Sequence, residues 1–307
     1  MANDEITIDR RRTLECMLWA GTGVLWTVAG GVPASRLIGS ALAADTSFSF
    51  VQISDSHIGF KAPANPDSLA TLDEAIGKIG KLPARPDFMI HTGDIVHVAK
   101  PELYDTAAQS IAGAKLETHY APGEHDITDP DTYKAYLDRF GKGAGGGWYS
   151  FDHNGVHFIS LVNVVDLKDN GLGYLGADQL AWLADDLKAK TNSTPIVVFA
   201  HIPLWMISAD WGWGTQDAQQ ALASLARFGS VTVLNGHIHQ LMQKVEGNVT
   251  FHTARSTAFP QPAPGTAPAP GPMLVPAGQL RSVLGIAEVA YVPTPTRLAI
   301  TDMSLAQ

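Results

Sequence analysis

The sequence FSFVQISDSH, from Phe48 to His57, places a short polar cluster directly after an apolar run. The run from Phe48 to Ile53 is rich in aromatic and β-branched residues, which is typical of a buried strand. Asp55 and His57 then stand two positions apart, so on an extended backbone their side chains leave the chain on the same side. A carboxylate and an imidazole placed in this way can bind one cation together.

The same arrangement recurs further along the chain. Polar clusters that each follow a predicted strand are Asp55-x-His57, Gly93-Asp94, Gly123-Glu124-His125-Asp126, His201 and Gly236-His237-x-His239. In open α/β sheets, ligands bind beyond the carboxyl ends of the strands, so these clusters are expected to build a single polar site. The flanking glycines let the backbone come close to a ligand. Each cluster alone is a weak signal, and the ordered series is the strong one.

Strands and helices alternate between these clusters. Apolar runs predict strands at 48–53, 88–91, 117–121, 196–200, 231–234, 249–253 and 283–289, and Asn154-Gly155 joins 148–153 to 156–162 as a hairpin. Helical periodicity marks 66–82, 101–114 and 177–190. This alternation predicts βαβ units and a layered α/β fold.

The ordered motifs resemble those of the calcineurin-like metallophosphoesterase family over about residues 48–289. The family pattern D-x-H, GD, GNH(D/E), a lone histidine and G-H-x-H corresponds here to DSH, GD, GEHD, AHIP and GHIH. The resemblance implies the family's four-layer α/β/β/α sandwich, in which two mixed sheets pack face to face between helices.

The resemblance also implies two metal ions bridged by one carboxylate. By position, the first metal would be held by Asp55, His57, Asp94 and His239. Asp94 would bridge to the second, whose other ligands would be Glu124, His201 and His237. His125 matches the family histidine that protonates the leaving group or contacts the phosphate, and Asp126 would orient it.

Elementary chemistry supports these roles independently of the resemblance. Two cations about 3.5 to 4 Å apart can clamp a phosphoryl oxygen and lower the pKa of a bridging water to make hydroxide. An imidazole held by a carboxylate is a natural general acid at neutral pH. We therefore expect hydrolysis of a phosphomonoester or phosphodiester by hydroxide bound at a binuclear centre of iron, manganese or zinc. The alternative is a non-catalytic metal-binding or scaffolding member of the same fold.

One position departs from the family pattern, because Glu124 stands where the family has asparagine. Three ligand carboxylates leave two divalent cations near a net charge of +1, before hydroxide is counted. We hypothesise that this charge favours ferric iron in one position, as a mixed Fe(III)/M(II) pair, or lowers the Lewis acidity of a divalent pair. In the other interpretation Glu124 turns away and a water replaces the amide.

Three tryptophans follow His201 in a glycine-punctuated loop: Trp205, Trp211 and Trp213. They either form an apolar wall for the substrate or pack on one another, and a wall would favour a diester or an aromatic or nucleoside leaving group. His97 follows Asp94 closely and is a candidate for the same pocket. Residues 260–276 (PQPAPGTAPAPGPMLVP) predict an extended loop, with a surface loop without function as the favoured interpretation.

The N-terminal 43 residues predict an export signal. Arg10-Arg11-Arg12 precede an apolar stretch over 17–32 and small residues near Ala43, which resembles a twin-arginine signal cleaved near that alanine. A retained anchor or a buried helix is the alternative. We thus expect contact with export machinery, a periplasmic or secreted protein without a stable membrane span after cleavage, and one domain over 44–307.

Charge and cysteine content narrow the partners. The chain of 307 residues has a net charge of -9, which argues against a nucleic acid held by phosphate neutralisation. A small phosphoester substrate then needs positive charge supplied locally, and a metal is the usual source. Cys16 is the one cysteine, so no internal disulfide staples this fold.

Overall fold

The structure, a computed structural model, describes residues 23–29, 32–38, 47–142, 146–293 and 297–306. Most of the predicted export signal lies outside these residues. Within it, the strands β1 (Gly23–Ala29) and β2 (Val32–Ile38) pair antiparallel, and the signal itself stays a prediction. Among the residues that the structure describes, no helix has the length and hydropathy needed to cross a membrane.

The rest of the chain alternates strands and helices as the sequence predicts. The strands are β3 (Phe48–Ile53), β4 (Phe88–His91), β5 (Glu117–Tyr120), β6 (Tyr149–His153), β7 (Val156–Ser160), β8 (Ile196–Phe199), β9 (Val231–Asn235), β10 (Met242–Glu246), β11 (Val249–Thr253), β12 (Gly285–Val292) and β13 (Arg297–Ser304). The helices are α1 (Ser68–Ile79), α2 (Pro101–Ala112), α3 (Pro130–Phe140), α4 (Ala177–Asp186), α5 (Ala218–Leu225) and α6 (Leu280–Val283). Short 3-10 turns lie at Asp169–Gly171, Leu187–Ala189 and Ala209–Trp211.

The strands form two mixed sheets. The first has the order β13-β12-β3-β4-β5, in which β3, β4 and β5 are parallel and β12 and β13 are antiparallel to their neighbours. The second has the order β10-β11-β9-β8-β7-β6, in which β11, β9, β8 and β7 are parallel and both edge strands are antiparallel.

Alternating side chains on the strands create the layers. In β3, Phe48 and Phe50 point into an aromatic core between the two sheets, where Phe50 meets Phe158 edge to face at 5.4 Å between ring centroids. Val51 and Ile53, on the opposite face of β3, pack with residues of α1 and α2. On the other sheet, a separate apolar core joins its outer face to α4 and α5. This arrangement of helices, two sheets and helices confirms the predicted four-layer sandwich.

Both sheets direct strand ends to one edge of the sandwich. Gln52, in β3 of the first sheet, donates from Nε2 to the carbonyl of Asn235 in β9 of the second at 3.1 Å. Beyond the strands, the backbone N–H of Thr257 donates to the carbonyl of Ser54 at 3.0 Å. The loops that follow β3, β4 and β5 therefore meet those that follow β8, β9 and β11.

Candidate metal centre

The polar clusters lie on unusually bent backbone. Five residues of these clusters have a left-handed φ: Asp55 (54°), His57 (40°), Asp94 (52°), His237 (69°) and His239 (53°). Such φ values are uncommon outside glycine and cluster at functional sites. The extended backbone expected for Asp55 and His57 is thus replaced by a left-handed turn, which backbone bonds to Gly93 and Asp94 hold at 2.9 Å each.

A first group of ligand atoms comes from Asp55, His57 and His239, all buried and within 4.8 Å of one another. His239 Nε2 lies 3.2 Å from Asp55 Oδ1 and 3.2 Å from His57 Nε2. On its other side, His239 Nδ1 donates to the carbonyl of Phe259 at 2.5 Å. Because a carbonyl only accepts, Nδ1 carries the proton and the lone pair of Nε2 is left for a cation.

A second group comes from Glu124, His201 and His237. The Glu124 carboxylate spans both histidines, with Oε2 2.9 Å from His201 Nε2 and Oε1 2.9 Å from His237 Nδ1. His201 Nδ1 donates to the carbonyl of Thr92 at 2.7 Å, which again leaves Nε2 for the site. Glu124 does not turn away, so its carboxylate belongs to the donor set.

Asp94 lies between the two groups. Its Oδ2 is 3.4 Å from His57 Nε2 in the first group and 3.4 Å from His201 Nε2 in the second. Its Oδ1 accepts a hydrogen bond of 3.0 Å from the backbone N–H of His125, which fixes the carboxylate. One oxygen of Asp94 therefore faces both groups, as a bridging ligand must.

Unpartnered polar atoms show that the residues present suit metal ions. Among the described residues, His237 Nε2 is buried without a hydrogen-bond partner, while Glu124 faces His201 Nε2 and His237 Nδ1 at 2.9 Å each without hydrogen-bond geometry. Leaving such atoms unpaired costs about 1–3 kcal/mol each in a buried site. A mixed imidazole and carboxylate donor set is one that zinc, manganese and iron accept. The residues brought together here fit two such ions.

Electrostatics at the site favour cations. Burial raises the pKa of Asp55, but His239 and His201 outweigh it and hold that pKa at about 2. Burial also raises the pKa of Glu124, and His237 and His201 again outweigh it, so the pKa falls well below its usual range. Burial, reinforced by neighbouring His239, holds the pKa of His57 well below its usual range. The ionised carboxylates and the neutral His57 imidazole are in the protonation states that metal binding requires. Burial lowers the pKa of His201, but the carboxylates of Asp94 and Glu124 outweigh it and raise that pKa well above its usual range, so a metal ion would replace a proton on that ring.

The ring of His125 is held by a backbone carbonyl. His125 Nδ1 donates to the carbonyl of His97 at 2.9 Å, and the two rings stack with centroids 4.9 Å apart. Burial lowers the pKa of His125, but the carboxylates of Asp94 and Glu124 outweigh it and raise that pKa. A histidine that is protonated more readily and lines the cavity is suited to donate a proton.

The structure corrects the predicted role of Asp126. Its Oδ1 accepts from the backbone N–H of Val96 at 3.0 Å, and its Oδ2 accepts from Gly123 at 2.9 Å. Burial and the nearby charge of Asp94 raise its pKa to about 7. Both oxygens are thus used to shape the loops that carry Asp94 and Glu124, and the His97 carbonyl takes the orienting role expected of Asp126.

A cavity of about 310 Å³ opens over the ligand groups. Of the residues predicted to contact substrate, His97, Trp211 and Trp213 line it. The prediction for Trp205 is wrong, because its ring packs 5.0 Å from that of Phe251 in the core beneath α4 and α5. Trp211 and Trp213 meet edge to face at 5.1 Å, so the wall and the self-packed loop coexist.

Sequence reasoning missed other cavity residues. Leu167 and Asn170 line the cavity from the turn before α4, and Gln261, Pro270 and Pro272 line it from the loop 260–276. One signal could have found that loop. The loop follows β11, and because β11 runs parallel to β9, the end of β11 lies at the same edge of the sheet as the end of β9. The structure thus places part of this loop, which the sequence favours as a surface loop without function, in the wall of the cavity.

Comparisons with known proteins agree with this arrangement. A family model described as calcineurin-like phosphoesterase matches residues 48–241. A 3',5'-cyclic-nucleotide phosphodiesterase of Nostoc sp. is 28% identical over 220 residues, which cover 69% of this chain and 79% of the relative. A glycerophosphodiester phosphodiesterase of Enterobacter lignolyticus is 26% identical over 195 residues, which cover 62% of this chain and 69% of the relative. A solved dimetal phosphatase from Danio rerio matches with a TM-score of 0.63 at 14% identity, covering 84% of this chain and 96% of the other, and supports the fold.

Proposed function

The chain belongs to the calcineurin-like phosphoesterase family, in which two of its relatives are named as phosphodiesterases, and we propose that it cleaves small phosphodiesters at a binuclear metal centre. One observation carries this proposal. Two groups of candidate ligands, the first buried and the second partly buried, both face the Oδ2 atom of Asp94 and reach a cavity that also has tryptophans in its wall.

Metal ions at these groups would supply Lewis acidity and a nucleophile at neutral pH. The side chains of this chain do the remaining work. Asp55, Asp94 and Glu124 balance the cationic charge, while the carbonyls of Thr92 and Phe259 hold His201 and His239 in the protonation state that leaves Nε2 for a metal. His125, whose Nδ1 is engaged with the carbonyl of His97, has Nε2 left to give a proton to the leaving-group oxygen.

The cavity lining supports a diester over a monoester. Within the described part of the chain, no lysine or arginine lines the cavity, so a phosphate with one negative charge is easier to hold than one with two. The apolar wall, which includes Trp211 and Trp213, supplies a surface for an organic group. Two of the relatives are named as phosphodiesterases, which points the same way.

A non-catalytic scaffolding role has less support. Its one argument was the glutamate at position 124, and Glu124 contacts both His201 and His237 at 2.9 Å. The site therefore keeps a full donor set together with His125. We infer that the metals are drawn from iron, manganese and zinc, with a mixed Fe(III)/M(II) pair favoured by the third carboxylate.

A substrate panel tests the function. After chelation and reloading with manganese, zinc or iron, the protein should hydrolyse bis(p-nitrophenyl) phosphate with a kcat/KM about tenfold above that for p-nitrophenyl phosphate. Asp94→Asn should abolish both reactions while circular dichroism keeps its wild-type shape. Bound metal by elemental analysis, with no turnover of either ester, would move the conclusion to the scaffolding role.

Replacing Glu124 tests the metal assignment. Glu124→Gln and Glu124→Asn each remove one negative charge next to His201 and His237, so the ratio of iron to divalent metal in the purified protein should fall. Elemental analysis measures that ratio. The exposed Glu102→Gln on α2 is the matched control and should keep the wild-type metal content. An unchanged ratio in both Glu124 variants would remove the charge argument.

We also propose that residues 1–43 direct export of the folded protein through the twin-arginine route to the periplasm or beyond. Arg10-Arg11-Arg12 followed by an apolar stretch supports this proposal. N-terminal sequencing of the exported protein should find a start near Ala44, and a start at Met1 or Ala2 would contradict cleavage.

A further inference from the structure

We infer that residues 260–276, which we call the proline loop, determine which organic group the cavity accepts, and that Gln261 holds this loop in position against the backbone of His237. The inference rests on the proposed phosphodiesterase function. The loop lies at the cavity next to the candidate ligand groups, where four of its residues form part of the wall: Gln261, Pro270, Gly271 and Pro272.

Gln261 joins three segments through one residue. Its Nε2 donates to the carbonyl of His237 at 2.9 Å, and its Oε1 accepts from the backbone N–H of Gly271 at 3.0 Å. Its own carbonyl accepts from Gln240 Nε2 at 2.8 Å. The backbone of a ligand histidine is thereby tied to the far side of the proline loop.

Both ends of the loop are fixed as well. Just before it, the Phe259 ring lies 4.8 Å from the His57 ring and 4.6 Å from the His239 ring. The backbone N–H of Met273 donates to the carbonyl of Pro260 at 2.8 Å and closes the loop on itself. Such anchoring makes this stretch a fixed wall, which costs little ordering entropy when a substrate binds.

The chemistry of this wall is apolar. Pro270 and Pro272 carry no backbone N–H, so they present ring carbons without a donor that would bind phosphate or water. Together with Leu167, Trp211 and Trp213 they give the cavity its apolar lining. Such a lining suits a flat organic group on the phosphodiester, while a methyl group would leave most of it uncovered.

Gly271 offers a substitution that acts through the backbone. Its φ is 147°, a region that side chains rarely adopt, and an added Cβ would meet nothing within 4 Å. Gly265, in the same loop, has a φ of 84° and also has open space around its Cβ position, but it does not line the cavity. Gly265→Ala is therefore a matched control for strain in the loop.

The experiment compares two diesters with the same leaving group, bis(p-nitrophenyl) phosphate and methyl p-nitrophenyl phosphate, on the metal-loaded protein. In Gly271→Ala and Gln261→Ala, kcat/KM for the bis ester should fall about tenfold, while that for the methyl ester stays within about twofold. Gly265→Ala should keep the wild-type ratio of the two values. Elemental analysis should find wild-type metal content in all three variants.

Other outcomes separate the two proposals. A wild-type protein that hydrolyses neither diester contradicts the proposed function. A wild-type protein that treats both diesters alike overturns the role of the proline loop and leaves the function standing. Equal losses on both diesters, a loss of metal in Gln261→Ala, or the same change of ratio in Gly265→Ala would each show that the loop supports the centre without selecting substrate.

Discussion

Backbone carbonyls fix which ring nitrogen carries a proton in three histidines of this site. His125, His201 and His239 each donate from Nδ1 to a carbonyl, those of His97, Thr92 and Phe259. Since a carbonyl accepts only, each ring has its proton on Nδ1 and presents Nε2. In His201 and His239 an unprotonated Nε2 would face the metal site, whereas His125 must carry a second proton on Nε2 to act as an acid, a state that its raised pKa favours.

Leaving-group chemistry distinguishes the role of His125. If His125 protonates the leaving oxygen, His125→Ala should reduce kcat by about 10²- to 10⁴-fold for an alkyl leaving group, which needs that proton. For p-nitrophenolate, a far better leaving group, the reduction should be much smaller. The measurement is kcat for a series of diesters with leaving groups of increasing pKa. Equal reductions across the series would assign His125 to phosphate binding alone.

That the candidate ligand residues meet at one site was predictable, because the signal for each of them is a short local motif. Asp55, His57 and their counterparts follow strands in short motifs, and parallel strands bring such motifs to one edge. The direction of Trp205 was not predictable, because it depends on how the chain turns after His201 and on the space next to Phe251. Nor could the sequence show that the N–H groups of Val96 and Gly123 reach Asp126.

Close approach between loops governs the site at the level of elements. The loop after β5 passes so near the loop after β4 that a Cβ on Gly123 would overlap the Oδ1 and backbone N of Asp94. The glycine therefore sets the spacing between two ligand-bearing loops, and this spacing is shorter than any other residue permits.

Gly123→Ala should displace Asp94, lower the metal content, and reduce kcat/KM by at least about 100-fold. Gly77→Ala, in α1, is the matched control, because an added Cβ there meets nothing within 4 Å and Gly77 lies inside a helix. That control should be more stable than wild type by about 0.5–1 kcal/mol, with unchanged activity. Elemental analysis, kinetics and thermal unfolding measure these effects. A fully active Gly123→Ala protein would contradict the spacing argument.

Elements with buried apolar runs were predictable and exposed elements were not. The strands at Phe48–Ile53 and Phe88–His91 have the predicted bounds, since every residue but Ser49 is buried. The edge strand Met242–Glu246 escaped prediction because it is mostly exposed and carries no apolar run. The helix Pro130–Phe140 buries only Tyr136 and Phe140, so its start is marked by the Asp129 and Thr132 capping box more than by periodicity.

At the scale of the whole molecule, buried histidines should make the free energy of unfolding depend on pH. His119 lies in β5 with its ring stacked 3.8 Å from that of Phe151, and it belongs to none of the candidate metal-ligand groups. Burial, reinforced by Lys142, lowers its pKa from 6.5 to about 4. In the unfolded chain, His119 therefore takes up a proton below about pH 6.5, whereas in the folded protein it does so only near pH 4. Between these two values the free energy of unfolding falls as the pH falls.

His119→Phe should remove that loss. Between about pH 7.5 and about pH 4.5, the free energy of unfolding of the wild type should drop by about 2 kcal/mol more than that of the variant. Urea unfolding at the two pH values measures the free energy of unfolding of each protein. The difference between the two proteins at the higher pH gives the effect of the substitution on packing, which is subtracted from the difference at the lower pH. An identical drop in both proteins would show that the pKa of His119 is the same in the folded protein as in the unfolded chain.

The two ligand groups draw on both halves of the sandwich: Asp55, His57, Asp94 and Glu124 follow strands of one sheet, while His201, His237 and His239 follow strands of the other. Neither half alone can chelate a pair of ions. The chain can consequently bind both ions only after the two sheets have packed together. The ions therefore bind only a folded chain, and removing them with a chelator should lower the free energy of unfolding as well as the activity, both restored when the metals are returned.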